Sequence, residues 1–261
     1  MDLGLTGKRA LVTGASKGIG LAIARSLVRE GATVVAAARR STPELDELVA
    51  GGGAQFIAAD LSRPEGPGEL VVAALAGGPL DILVNNVGAV KPRLAGFLSI
   101  TDEEWLASLN LSFMAAVRTT RAVLPCMLDA GRGAIVTTGS VNAMLPDPLV
   151  IDYSAAKSAL ASFCKSLSKE VGPKGIRVNT VSPGPVATEL WLGDHGVAAT
   201  VAGATGGDPA AVQNAAAGDS ASGRFTQPEE VADLVVLLAS ERAGNVIGAD
   251  FVIDGGLIRT L

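Results

Sequence analysis

Only one tyrosine and one histidine occur among the 261 residues of the chain, and only two cysteines. One histidine, His195, cannot build a metal site without several carboxylate helpers, so no metal is expected. Cys126 and Cys164 cannot form a disulfide framework, and both fall in predicted helices, where small core residues are the plain reading. Charge is thin: 18% of residues are charged and the net charge is −5, against a usual charged share of roughly 25%. An acidic balance of this kind argues against a nucleic-acid partner or an anionic membrane surface. No run reaches the ~20 apolar residues of a membrane span. The segment Met1–Ala10 holds no apolar core of signal-peptide length. These absences predict a soluble, cytoplasmic protein with a small-molecule partner.

What the chain does have is apolar surface, with 48% hydrophobic residues, enough for a large core and for subunit contacts. Short apolar runs recur at Arg9–Thr13, Thr33–Ala38, Gln55–Ala59, Asp81–Asn85, Ala134–Thr138, Arg177–Ser182 and Phe251–Asp254. They are nearly continuous in Val, Ile, Leu and Ala, the pattern of parallel strands covered on both faces. Helical stretches separate them, so the expected fold is α/β, a doubly wound parallel sheet in one domain over residues 1–261. Thr101–Glu104 and Thr226–Glu229 read as capping boxes, and Gly31 and Gly172 fall where helices should stop. The segment 190–223 is rich in Ala and Gly without a sustained apolar period. It fits either a mobile lid over a binding site or a surface excursion.

The first strand runs into Gly14-Ala-Ser16-Lys17-Gly18-Ile19-Gly20. Glycines let a backbone turn tightly and approach a pyrophosphate, and the next helix offers free N–H groups to the anion. Ordinary turns would also explain a lone glycine cluster; the placement after the first strand and before an amphipathic helix favours the phosphate reading. An acidic residue normally ends the second strand of an NAD site. Here that end is Ala38, followed by Arg39 and Arg40. No carboxylate repels a 2′-phosphate and two guanidiniums can pair with it, with Lys17 as a third positive charge. Solvated surface arginines are the bland alternative. The cofactor expected is NADP(H), with NAD(H) second.

Tyr153 and Lys157 stand four apart, on one face of a helix. An ammonium beside a phenol favours the phenolate, which would bring proton exchange with a substrate oxygen toward neutral pH. The pair alone also fits the start of an amphipathic helix. Ser140 lies at the carboxyl end of the fifth strand, where open α/β sheets bind ligands, and its hydroxyl could hold the same oxygen. Asn110 lies in the helix opened by Thr101, amid Leu109, Leu111 and Phe113, and needs a partner if buried.

Taken together, the chain resembles the compact, single-domain branch of the short-chain dehydrogenase/reductase family. The matching residues are Thr13–Gly20, Asp60-Leu61, Asn85-Asn86-Val87-Gly88, Asn110, Ser140, Tyr153-x3-Lys157, Pro183-Gly184 and Thr188, in family order over nearly the whole chain. The resemblance implies a Rossmann-type fold and hydride transfer between a nicotinamide and a ketone or secondary alcohol. It makes Tyr153 the general acid/base, has Ser140 hold the carbonyl oxygen, and gives Lys157 the tyrosine and the nicotinamide ribose. Asn110 would hold a relay water, Asp60 would contact the adenine beside Leu61, and the Asn86–Gly88 backbone would line the adenosine ribose. Val186 and Thr188, beyond Gly184, would fix the carboxamide. Val87, where the family most often has Ala, should have little effect.

By family position Val141, Asn142, Leu145, Val150, Gly184, Trp191 and Leu192 would line the substrate pocket, and their apolar balance favours a neutral ketone over a keto acid. The resemblance extends to 3-oxoacyl-carrier-protein reductases, which makes a 3-oxoacyl-thioester reductase one alternative, with Arg132 and Lys174 as candidate contacts for an acidic carrier. An NADP(H)-sensing protein without turnover is another, disfavoured by the complete Ser–Tyr–Lys set. A lyase or epimerase reusing the fold is disfavoured by the glycine spacing and the length. Small residues on the Tyr153 helix (Ala155, Ala156, Ala159, Ala161) permit close helix approach. With the family end Asp254-Gly-Gly256, they point to a homo-oligomer, a tetramer or dimer.

Overall fold

The computed structural model describes residues 2–260. Seven strands form one sheet: β1 (Arg9–Thr13), β2 (Thr33–Ala38), β3 (Ala54–Ala58), β4 (Ile82–Asn85), β5 (Gly133–Thr138), β6 (Ile176–Pro183) and β7 (Asp250–Ile253). Every pair is parallel and the order is β3-β2-β1-β4-β5-β6-β7. The order reverses direction between β1 and β4, which opens a crevice at the carboxyl ends of those strands. The central strands are almost wholly buried: residues 10–13 of β1 and all of β4 have no exposed side chain. Apart from Thr13 and Asn85 at their carboxyl ends, their side chains are apolar on both faces and do not alternate.

Helices cover both faces. On one, α1 (Gly18–Arg29), α2 (Pro43–Ala50) and α10 (Pro228–Ala239) close a core around Ile23, Leu27, Val34, Val84, Val231 and Val235. On the other, α3 (Gly66–Leu75), α5 (Ala115–Ala130) and α6 (Ile151–Val171) close a second around Leu11, Leu70, Leu83, Val123, Ile135 and Leu160. Right-handed crossovers put the covering helices there and leave the loops after β1, β4, β5 and β6 at one edge.

Local signals mostly hold, with shifts. Thr101 caps α4 (Asp102–Leu109), and its box with Glu104 makes both reciprocal bonds. The second box is displaced by one residue: Gln227, not Thr226, caps α10, and Glu230, not Glu229, reaches back to it. Thr226 is instead drawn into a bridge with Val186. Gly31 takes φ +84° just past α1. Gly172 does not turn the chain left-handed; the helix tightens into a 3₁₀ turn over Gly172–Lys174 and Gly175 takes φ +81° instead. The segment 190–223 is more ordered than its composition suggests. With Glu189 it forms three short helices, α7 (Glu189–Leu192), α8 (Val197–Thr205) and α9 (Pro209–Gly218). Alanine needs no apolar stripe to be helical, and Asp208 caps α9 through the Ala210 N–H at 3.0 Å. Among the described residues no helix is long and apolar enough to cross a membrane.

Candidate active site

The loops after β1, β4, β5 and β6 enclose a cavity of about 580 Å³ whose walls include Ile19, Asn86, Gly88, Ser140, Tyr153 and Lys157. Its floor begins at the glycine turn. Gly14 takes φ +67° and Gly18 φ +55°, a region that L side chains rarely adopt. A Cβ on Gly20 would collide with the Gly14 carbonyl oxygen, and one on Gly18 would stand 3.2 Å from Thr188 Cγ2. Thr42 braces the turn from outside: its hydroxyl donates to the Ser16 carbonyl (2.8 Å) while also accepting from Leu45 N–H as the cap of α2. Asn86 braces it from inside, its amide donating to the carbonyls of Thr13 (3.1 Å) and Gly14 (3.3 Å). Lys17, the N-cap residue of α1, makes no side-chain cap, so the first-turn N–H groups of that helix have no side-chain partner from it.

Arg39 and Arg40 follow β2, exposed, and among the described residues neither takes part in an ion pair. Lys17 does not stand free beside them as expected. Its ammonium pairs with Glu189 at 2.7 Å, at the start of α7, and that contact holds the Glu189 carboxyl below its ordinary range. Asp60 accepts from the backbone and the hydroxyl of Ser62 (3.0 and 2.7 Å). Those bonds, with Arg39 nearby, keep it ionised to lower pH than usual. Leu61 beside it is buried. Val87 N–H joins Asn86 N–H on the Thr13 hydroxyl (3.3 and 2.9 Å), so the valine leaves this bracing intact.

Tyr153 and Lys157 share one face of α6, with the ammonium 5.7 Å from the phenol ring centroid. Lys157 is buried and donates to the Thr138 carbonyl at 2.8 Å. Ser140 caps a short 3₁₀ turn: its hydroxyl accepts from Asn142 N–H (3.2 Å) and donates to Asn142 Oδ1 (3.1 Å). The expected lowering of the phenol by the ammonium is not what the structure gives. Burial dominates and pushes the Tyr153 phenol above its ordinary value, with a hydrogen bond to Ser140 pulling the other way. Burial also brings Lys157 down to about 8. Both groups lie in a site that disfavours their charged forms.

Asn110 is not brought to this site. Its amide donates to the Ser62 carbonyl and its oxygen accepts from Arg118 at 2.5 Å, in a separate surface hollow with Leu106, Phe113 and Met114. The residue of this turn that lies on the Lys157 side is Ser112. Asn110–Met114 form a single π turn between α4 and α5, and two residues further on is roughly 200° around a helix. Ser112 is buried and donates to the Ala89 carbonyl at 3.3 Å. A Cβ on Gly88 would lie 3.5 Å from Lys157 Nζ and 3.9 Å from Ser112 Oγ, so the ammonium and this hydroxyl flank one spot.

Of the other residues expected at the pocket, Val141, Asn142, Leu145, Val150, Gly184 and Trp191 line it. Leu192 does not; it is exposed, and Leu190 lines the cavity instead. Gly184 lies against Asp254, where a Cβ would stand 2.9 Å from the aspartate Cβ. Val186 and Thr188 follow it on a segment pinned to Thr226 by hydrogen bonds of 2.8 and 3.0 Å. His195 is exposed between α7 and α8, away from the lining.

A glycine turn at a sheet crevice, followed by a Ser–Tyr–Lys cluster on the same cavity, is an arrangement with known counterparts. The family described as enoyl-(acyl carrier protein) reductase matches residues 14–258. The 3-oxoacyl-[acyl-carrier-protein] reductase of Vibrio harveyi is 34% identical over 261 residues, covering 98% of this chain and 99% of that protein. The 2,3-dihydro-2,3-dihydroxybenzoate dehydrogenase of Bacillus subtilis is 32% identical, covering 97% of each. Among solved structures, the L-sorbose reductase of Gluconobacter frateurii, complexed with NADPH and L-sorbose, superposes with a TM-score of 0.91 at 36% identity and full coverage of both chains. The chain is therefore an oxidoreductase that belongs to the short-chain dehydrogenase/reductase family.

Proposed function

We propose that the protein is an NADP(H)-dependent oxidoreductase that interconverts a ketone and a secondary alcohol, with Tyr153 as the proton donor and acceptor. The observation that carries this reading is the convergence of Ser140, Tyr153 and Lys157 on one cavity that Ile19 of the glycine turn also lines. The residues present fit the dinucleotide. Gly14, Gly18 and Gly20 leave backbone rather than side chains at the turn, and the uncapped N-terminus of α1 suits a pyrophosphate. Arg39 and Arg40 suit a 2′-phosphate, and no carboxylate ends β2. Ser16, Ile19, Asp60, Leu61, Asn86, Gly88, Gly184, Val186 and Thr188 complete the proposed cofactor site.

When bound, the nicotinamide supplies or accepts the hydride at the substrate carbon. In reduction, Tyr153 gives its phenolic proton to the substrate oxygen while Ser140 donates a second hydrogen bond to it. Lys157 then stands as a positive charge beside the phenolate formed and can return the proton. Ser112, flanking the same spot above Gly88, takes the place expected for Asn110 as the polar partner of Lys157. The complete Ser–Tyr–Lys set disfavours the reading as a cofactor sensor without turnover. The segment 190–223 acts as the substrate lid, Lys17–Glu189 tying its root to the glycine turn. The protein assembles as a homo-oligomer, dimer or tetramer, in the cytoplasm.

The test is cofactor oxidation with NADPH and NADH at matched concentrations against one reducible ketone. NADPH should be preferred, and Arg39→Ala/Arg40→Ala should raise its KM by about ten- to a hundredfold, as loss of charged hydrogen bonds would. A clear preference for NADH would overturn the cofactor assignment.

A further inference from the structure

The walls of the cavity beyond Tyr153 differ in kind from its cofactor end. Val90, Leu145 and Leu149 come from loops on one side and Trp191, Val201 and Val212 from α7, α8 and α9 on the other. Trp191 is held in place by Phe225, ring centroids 5.5 Å apart. The ionisable groups on this part of the wall are carboxylates, Asp147 and Asp219. One Asp147 oxygen is committed to Leu149 N–H at 2.8 Å. Among the described residues, the one cation lining the cavity, Lys157, is buried at the opposite end on the Thr138 carbonyl. Of the neutral polar groups near the substrate position, Ser140 and the Asn142 oxygen are already bonded to each other.

From this we infer that the substrate is a neutral carbonyl compound carrying a sizeable apolar body, gripped between the wall of Val90, Leu145 and Leu149 and the α8–α9 helix pair. The inference rests on the carbonyl-reductase reading above and names its substrate class. A carboxylate or phosphate on the substrate would find no partner charge here and would face two carboxylates. The hydroxyls of a sugar would be desolvated against valine, leucine and tryptophan with few partners to replace water. The carrier-bound thioester of the 3-oxoacyl reductases is disfavoured for a related reason, since an anionic phosphopantetheine arm would have to pass Asp147 and Asp219.

The experiment compares kcat/KM at saturating NADPH for octan-2-one, its carboxylate counterpart 7-oxooctanoate, L-sorbose and acetone. Octan-2-one should exceed each of the other three by about a hundredfold, the discrimination an apolar pocket can reach. Asp219→Lys should raise the ratio of 7-oxooctanoate to octan-2-one by up to about fivefold, the worth of one exposed charge pair. Reduction of 7-oxooctanoate or L-sorbose as efficient as that of octan-2-one would overturn the substrate class and leave the proposed activity standing. An unchanged ratio in Asp219→Lys would contradict the exclusion of anions by this wall. Failure of all four carbonyls while NADPH binds normally would overturn the proposed activity and this inference with it.

Discussion

In the proposed mechanism Lys157 is the residue whose state sets the pH behaviour. In the free protein burial lowers its ammonium to about 8, while the Tyr153 phenol is pushed above its ordinary value and keeps its proton throughout the neutral range. The reduction proposed above needs the phenol protonated and the ammonium charged. Both conditions hold on the acid side, so kcat/KM for reduction should be flat there and fall as pH rises through about 8. The measurement is a pH–rate profile of the wild type and of Lys157→Met. The variant should be far slower and should lose the break; a break that persists near 8 would belong to another group. Linkage gives the same residue a stability signature. Between about 8 and the ordinary lysine value of about 10.4, the unfolded chain holds a proton the folded chain has shed. Stability contributed by this group therefore rises with pH across that window.

The π turn at Asn110–Met114 is the element that most changes what the sequence suggests. Read as a continuous helix, the stretch after Thr101 offers Asn110 as its polar candidate, and the sequence carries no sign of the turn that displaces it. A π turn inserts a residue and rotates the residues beyond it, a device common at functional sites. Asn110 ends on Arg118 and the Ser62 carbonyl, and Ser112 is buried beside Ala89. Ser112→Ala should lower kcat by roughly ten- to a hundredfold if its hydroxyl serves proton transfer, and Asn110→Ala should change kcat little. Equal losses in both would show that the turn matters only for packing. By contrast β1 and β2 begin and end where their apolar runs do, because buried parallel strands carry their own boundary in composition. The helices α8 and α9 are hidden by the same logic: Ala-rich helices with little apolar face look like loops. The Tyr153–Lys157 face is legible because four residues on a helix fix it. The pH state of that pair is not, since desolvation depends on walls contributed by distant segments.

At the scale of the whole molecule, a buried ion pair ties the cavity walls together. Arg93 donates through Nε and Nη2 to Asp152 Oδ2, at 3.2 and 2.5 Å, and through Nη1 to Glu104 at 2.6 Å. Its own N–H donates to the Leu149 carbonyl at 2.6 Å. One residue thus joins the loop after β4, the start of α4, the loop after β5 and the first turn of α6, one residue before Tyr153. Nothing in the spacing of Arg93, Glu104 and Asp152 announces this, because the three meet only in the folded chain. Removing one partner of a buried pair strands the other charge, at a cost of about 3–5 kcal/mol. Arg93→Ala should therefore lower the melting temperature by several degrees or more, with Arg93→Lys recovering part of it. Thermal unfolding checks this; an unchanged Tm would mean that the pair is not a structural tie.

The proposed chemistry of the site turns on the Tyr153 phenol carrying the proton. The most direct measurement is NADPH oxidation by Tyr153→Phe on a ketone the wild type reduces, with NADPH binding followed in parallel by fluorescence. Turnover should drop by about a thousandfold or more with NADPH affinity little changed. Turnover within a few-fold of the wild type would contradict the role of the phenol.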